Sequence, residues 1–203
     1  MALVALHSVL PMPALADEIL RLAVMIFALL FFARPALDLS TTRPWSSVLI
    51  GVLVFAIWIA PDLLFPGYRR HFENAITGVA HSSLSLTAQG SAAVLVLRSL
   101  RAALIVPVVE ELFWRAWLMR WIINPNFQKI PLGAYTAFSF WAVAVLFASE
   151  HGPYWDVGLV TGVIYNWWMV RTRSLGDLVL THAVTNACLS AYVIAAGKWE
   201  YWL

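Results

Sequence analysis

The stretch IVPVVEELFWRAWLMRW, Ile105 to Trp121, reads as a membrane-buried helix interrupted by Glu110, Glu111 and Arg115. A charge at the centre of a bilayer costs about 2.5–3.5 kcal/mol on insertion scales. Three such groups within six residues therefore need a reason. One reading is a local ion pair that braces a helix bundle. The other is a reaction site inside the membrane.

The rest of the chain belongs to the same class. Its 203 residues are 62% hydrophobic and 12% charged, with mean hydropathy +0.78. Soluble domains carry about twice that charge. About 20 apolar residues make one span, so the length allows about six helices in a single integral membrane domain, residues 1–203. A net charge of +2 gives no footing for nucleic acid. The single cysteine, Cys188, sits in the small-residue run HAVTNACLSAY and reads as a packing residue. The first sixteen residues lack a positive n-region and are broken by Pro11 and Pro13. They read as an interfacial or short N-terminal segment rather than a cleaved leader.

Hydrophobic runs predict spans over about 19–33, 45–65, from 92 onward, 134–150, 157–170 and 178–196. Pro61 should kink or end the second. The polar stretch YRRHFENAITGVAHSSLSLTAQGS separates the second and third spans. Phe72, Ile76, Val79 and Leu84 could give it one apolar face, so an interfacial helix or a plain loop is expected there. Trp45, Trp121, Trp155 and Trp199 fall near span ends, where aromatic belts lie. Gly158 and Gly162 form a small-x-x-x-small pair that favours close helix packing. Basic residues divide evenly between the two sides. Setting Arg98 and Arg101 inside their helix places both termini outside.

Helical residues four apart share a face, so Glu111 and Arg115 can pair. Glu110 is turned about 100° away and cannot share that arginine with the same geometry. The doublet thus divides into a structural Glu111 and a chemical Glu110, free to act as a general base. Phe147 and His151 form a second i, i+4 pair, just before the Gly152-Pro153 turn and beside Glu150. His182 and Asn186 form a third, inside the last span. Either of these pairs taken alone reads as interhelical hydrogen-bonding glue or an interfacial residue. Together they supply Glu, His, His and Asn to one polar pocket. A glutamate-activated water attacking a carbonyl, with His or Asn donors to the oxyanion, fits this set. Zinc on Glu110, His151 and His182 is a secondary reading, because no HExxH pair is present. Ser139, Ser149 and Ser190 lack nucleophile-elbow spacing.

The three ordered motifs, Glu110-Glu111-x-x-x-Arg115, Phe147-x-x-x-His151 and His182-x-x-x-Asn186, resemble those of the CAAX prenyl protease and bacteriocin-processing family of intramembrane proteases. That family includes the type II CAAX prenyl endopeptidases. The resemblance covers about residues 92–196, and the surrounding sequence is similar to the bacterial CAAX prenyl protease-related subgroup found beside exosortase systems. It implies an all-helical bundle with a cavity open to one side, and catalysis by Glu110 with His151. It implies an oxyanion site at His182 and Asn186, a first motif organised by Glu111 and Arg115, and no metal cofactor.

The expectation is therefore an all-α polytopic membrane bundle that hydrolyses a peptide near its membrane anchor, with or without an attached lipid, in a bacterial inner membrane. Phe113, Trp114 and Trp117 could line a lipid-tail channel, though such residues more often face lipid or core. Two rivals belong to other classes. A non-enzymatic scaffold or immunity-type factor would keep its cellular function without Glu110. A proton-coupled transporter would relay protons through the same Glu and His.

Overall fold

A computed structural model describes residues 12–74 and 76–202. The expected N-terminal segment lies largely outside these residues. Among the described residues the chain is helical and carries only one isolated β-bridge, Asn74 to Gly78. The principal helices are α1 (Ala14–Ala28), α2 (Pro44–Leu64), α3 (Ala92–Ile123), α4 (Ala137–Ser149), α5 (Trp155–Thr172) and α6 (Leu175–Ala196). Each begins within a few residues of its expected position.

α2, α3 and α6 are long and apolar enough to cross a membrane, and α4 is apolar but spans only 13 residues. Among its described residues, the polar stretch between α2 and α3 forms no amphipathic helix. It folds into a 3-10 turn, Tyr68–His71, a loop, and a one-turn helix, Leu86–Gln89. Asn74 explains part of this. Its side-chain oxygen accepts from the backbone N–H groups of Ile76 and Thr77, an alternative to helical bonding. Ile76, a member of the supposed apolar face, is fully exposed.

Pro61 does not end α2. It sits in the last turns, and the N–H of Phe65 closes onto its carbonyl. α2 buries Ser47, Gly51, Val54 and Trp58, one helical face. That face meets α6, and α4 meets α5; these are the main pairings of the bundle. Hydrophobic burial does not drive helices together in lipid, so close backbone approach matters. A Cβ at Gly51 would lie 2.5 Å from the Thr181 carbonyl oxygen, and one at Gly162 would lie 3.1 Å from the Ala144 Cα. The small pair in α5 therefore serves two contacts: Gly162 rests on α4, and Gly158 abuts the His151 ring.

The link into α2 is tied to α6. Asp177 is fully buried and accepts from the N–H groups of Thr42 and Arg43 at the start of α2. Arg43 is the N-cap of α2, and its N–H is a donor that the helix itself leaves unsatisfied. Trp45, Leu49, Phe31, Phe32 and Phe138 stand outward, each at least 69% exposed. Apolar surface on this scale suits a lipid-facing exterior.

α3 is the irregular element. It contains two π-helical segments, Arg101–Ile105 and Leu112–Leu118, on either side of the Glu doublet. Pro107 accounts for the first. It has no N–H and its ring crowds the carbonyl four residues back. The N–H of Val106 reaches Arg101 instead, five residues back. The Ala102 carbonyl thus loses both its α-register donor and, at Pro107, its π-register donor. Asn186 of α6 fills the gap, donating Nδ2–H to the Ala102 oxygen at 2.8 Å. Such π segments recur at functional sites.

Candidate active site

The two glutamates diverge as their helical offset requires. Glu111 is fully buried, and Arg115 Nη1 donates to both of its carboxylate oxygens at 3.0 Å. Arg115 Nε donates to Asn166 Oδ1 at 2.9 Å, and Asn166 Nδ2 donates in turn to the Phe140 carbonyl at 2.7 Å. The guanidinium also lies 4.6 Å from the Phe147 ring centre and 5.5 Å from that of Tyr165. Cation–π contact of this kind compensates a desolvated arginine. Arg115 Nη2, otherwise unpartnered, is thereby left among aromatic faces.

Glu110 instead lines a cavity of about 400 Å³, shared with His151, His182 and Asn186. Its side chain keeps 34% of its accessible surface. His182 Nδ1–H donates to Glu111 Oε1 at 2.7 Å. That bond orients the ring and turns Nε2 toward Glu110, whose Oε2 is 3.9 Å away. His151 is held alike: Nδ1–H donates to the Phe147 carbonyl at 2.7 Å, leaving Nε2 without that proton. The His151 ring stacks 4.6 Å from Phe147 and 5.4 Å from Trp58. Phe147 is thus a hub, touching His151 and lying beneath Arg115.

The turn that carries His151 is braced from outside the motifs. Arg69 Nη1 donates to the Pro153 carbonyl at 2.9 Å and to Asp156, while Arg69 Nε donates to Asp62. Burial works against this guanidinium's charge, but Asp156 and Asp62 outweigh it and hold its pKa above the ordinary arginine value. Tyr201 OH donates to Asp62 at 2.7 Å, so the chain end joins the same brace.

All four expected site residues, Glu110, His151, His182 and Asn186, therefore border one cavity together with Phe147, and Glu111 and Arg115 lie behind them. Phe113 is partly exposed and Trp114 is buried against Phe147; neither borders the cavity. Of the three serines, Ser139 bonds to Thr136 and Ser149 to the Leu146 carbonyl, while Ser190 borders the cavity. Glu150 is exposed at its rim. Among the described residues, no three His, Cys, Asp or Glu side chains are grouped to hold a metal ion.

Several contributors carried no motif. Asn166 steadies Arg115. Trp58 brings α2 to the wall. Tyr165 OH donates to Thr185 Oγ1 at 2.8 Å, setting its ring 5.1 Å from His182. Arg98 and Arg101, read from sequence only as charges for topology, also border the cavity. Among these, Asn166 had a signal: a buried amide in an otherwise apolar helix needs partners.

No curated protein and no solved structure matches the chain. A family model does, that of the type II CAAX prenyl endopeptidase Rce1-like proteins, over residues 91–188. The matched region begins beside the start of α3 and ends within α6, enclosing every residue of the three motifs. Residues 91–188, just under half of the chain, thus match the model of the Rce1-like type II CAAX prenyl endopeptidases, a family of proteases.

Proposed function

We propose that the protein is a glutamate-dependent intramembrane endopeptidase of the bacterial inner membrane, cleaving a peptide bond close to a membrane anchor. The observation that carries this reading is the division of the doublet. Arg115 and His182 both engage Glu111, while Glu110 stands in a polar cavity within a bundle whose outer surface is apolar. A recess that admits water would give a hydrolase its second substrate at membrane depth.

The steps follow from the available atoms. Glu110 takes one proton from water as the water oxygen attacks the peptide carbonyl carbon. His151 Nε2 accepts the other O–H and aims the lone pair. The developing oxyanion is met by the second Nδ2–H of Asn186, whose first is spent on Ala102. It is also met by His182 Nε2–H, which requires that ring to be doubly protonated because Nδ1–H already serves Glu111. The C–N bond then breaks and Glu110 returns its proton to the leaving amine.

The test is cleavage of membrane-anchored peptides, lipidated and unlipidated, by purified protein in detergent, with and without a zinc chelator. Wild type should cleave regardless of chelator. Glu110→Ala and His151→Ala should fall by at least about 100-fold while remaining folded. Cleavage lost on chelation would assign the chemistry to zinc. A wild type that cleaves nothing, with cellular function intact in Glu110→Ala, would favour a scaffold.

A further inference from the structure

Thr161 stands on the face of α5 that meets the site. One turn before it, Gly158 abuts the His151 ring; a Cβ there would lie 3.3 Å from Nδ1. One turn after it, the Tyr165 ring lies 5.1 Å from that of His182. Residues three and four apart on a helix share a face, so Thr161 lies between the two imidazole contacts. It borders the cavity that Glu110 borders from α3. The residue is 2% exposed, and its buried Oγ1 has no hydrogen-bond partner among the described residues.

A helical threonine commonly gives its hydroxyl to the carbonyl four residues back. Thr172, Thr181 and Thr185 do so, at 2.9, 2.9 and 3.1 Å. Thr161 does not. A buried hydroxyl without a partner is destabilising, so its retention at this position needs another reason. The tyrosine hydroxyls around the cavity are committed elsewhere: Tyr165 donates to Thr185, Tyr154 to the Glu200 carbonyl and Tyr201 to Asp62. The reaction above lacks one donor. Glu110 and His151 Nε2 both accept, so each takes an O–H of the attacking water. That water keeps two lone pairs, one to attack the carbonyl carbon and one to receive a hydrogen bond. Waters held inside proteins make about three such bonds.

We propose that Thr161 is a further catalytic residue whose Oγ1–H donates to the attacking water. Held at three corners by Glu110, His151 and Thr161, the water points its remaining lone pair at the peptide carbonyl. This rests on the protease reading above. Threonine keeps two χ1 rotamers in a helix, which lets the buried hydroxyl swing to the cavity side.

The experiment pairs kinetics with direct observation of the water. Thr161→Val keeps the shape and removes the donor, while Thr161→Ser keeps the donor. On a membrane-anchored peptide that wild type cleaves, Thr161→Val should lower kcat by about 10-fold with KM unchanged, the loss of one neutral hydrogen bond. Thr161→Ser should stay within about 3-fold of wild type. Since the hydroxyl has no partner in the protein, Thr161→Val should unfold at or above the wild-type temperature in detergent. A crystal structure of wild type that orders its waters should place one on Thr161, Glu110 and His151 together, and Thr161→Val should lose it. A wild-type kcat in Thr161→Val would overturn the proposal, as would a raised KM with kcat unchanged, which gives the hydroxyl to the peptide. Equal losses in the Val and Ser variants with lowered unfolding temperatures would mean a structural role and overturn it. A fall in Ser190→Ala with Thr161→Val unaffected would overturn the assignment to Thr161. The bridging water in a protein that cleaves nothing would reject the protease reading and leave the water site standing. An active wild type without that water would overturn the proposal and leave the protease reading intact.

Discussion

Asn186 carries two tasks at once, and they separate experimentally. One N–H repairs the carbonyl that Pro107 orphans in α3, and the other faces the cavity. Asn186→Ala should therefore lower both stability and turnover. His182→Ala should lower turnover more selectively, by about 10²–10³-fold in kcat with little change in KM, the usual loss for an oxyanion donor. Steady-state kinetics beside thermal unfolding in detergent would separate the two effects. An equal fall in stability for both variants would mean that His182 serves Glu111 alone. At this scale the sequence was readable where spacing decides geometry. Residues four apart meet, so the Glu111–Arg115 pair was legible from its offset. The Asn186–Ala102 bond was not, because it depends on a register shift in another helix. Its cue was Pro107, three residues before Glu110 in the same helix.

At the scale of elements, the pairing of Glu111 with Arg115 holds α3 to α5 through Asn166 and to α6 through His182. Removing one partner of such a buried pair leaves an uncompensated charge. Glu111→Ala should cost about 3–5 kcal/mol of stability and depress activity through misplacement of His182. Chemical denaturation in detergent micelles reads the loss; a stability equal to wild type would contradict the buried-pair account. The α2–α6 contact makes a second prediction. Gly51→Ala drives a methyl into the Thr181 carbonyl and Val184, and overpacking of this kind costs about 1–3 kcal/mol. Since Trp58 reaches His151 from α2, the same variant should also slow cleavage. Helix positions were legible from hydrophobic runs. The polar stretch before α3 was ambiguous because Phe72, Ile76, Val79 and Leu84 carry a weak helical period. Side-chain capping by Asn74 decided it for a loop.

Across the whole molecule, the site draws on both halves of the chain. α3, α4 and α6 bring the reactive groups. α1 supplies Glu18 to the cavity arginines, α2 supplies Trp58, and the Tyr68–His71 turn supplies Arg69 to the His151 turn. None of these N-terminal contributions has a motif, because each is a single side chain whose partner is distant in sequence. What sequence could reveal was the composition that demands a membrane bundle and the three motif pairs that demand a common pocket. The division of labour between Glu110 and Glu111 is the centre of the account. Its most direct test is a single-turnover reaction in liposomes containing ¹⁸O-water, with product masses read for wild type and Glu110→Gln on a library of membrane-anchored peptides. Water activated by Glu110 predicts one ¹⁸O in the new carboxyl terminus from wild type and no product from Glu110→Gln. Cleavage by Glu110→Gln at the wild-type rate, or wild-type product lacking ¹⁸O in the first turnover, would contradict it.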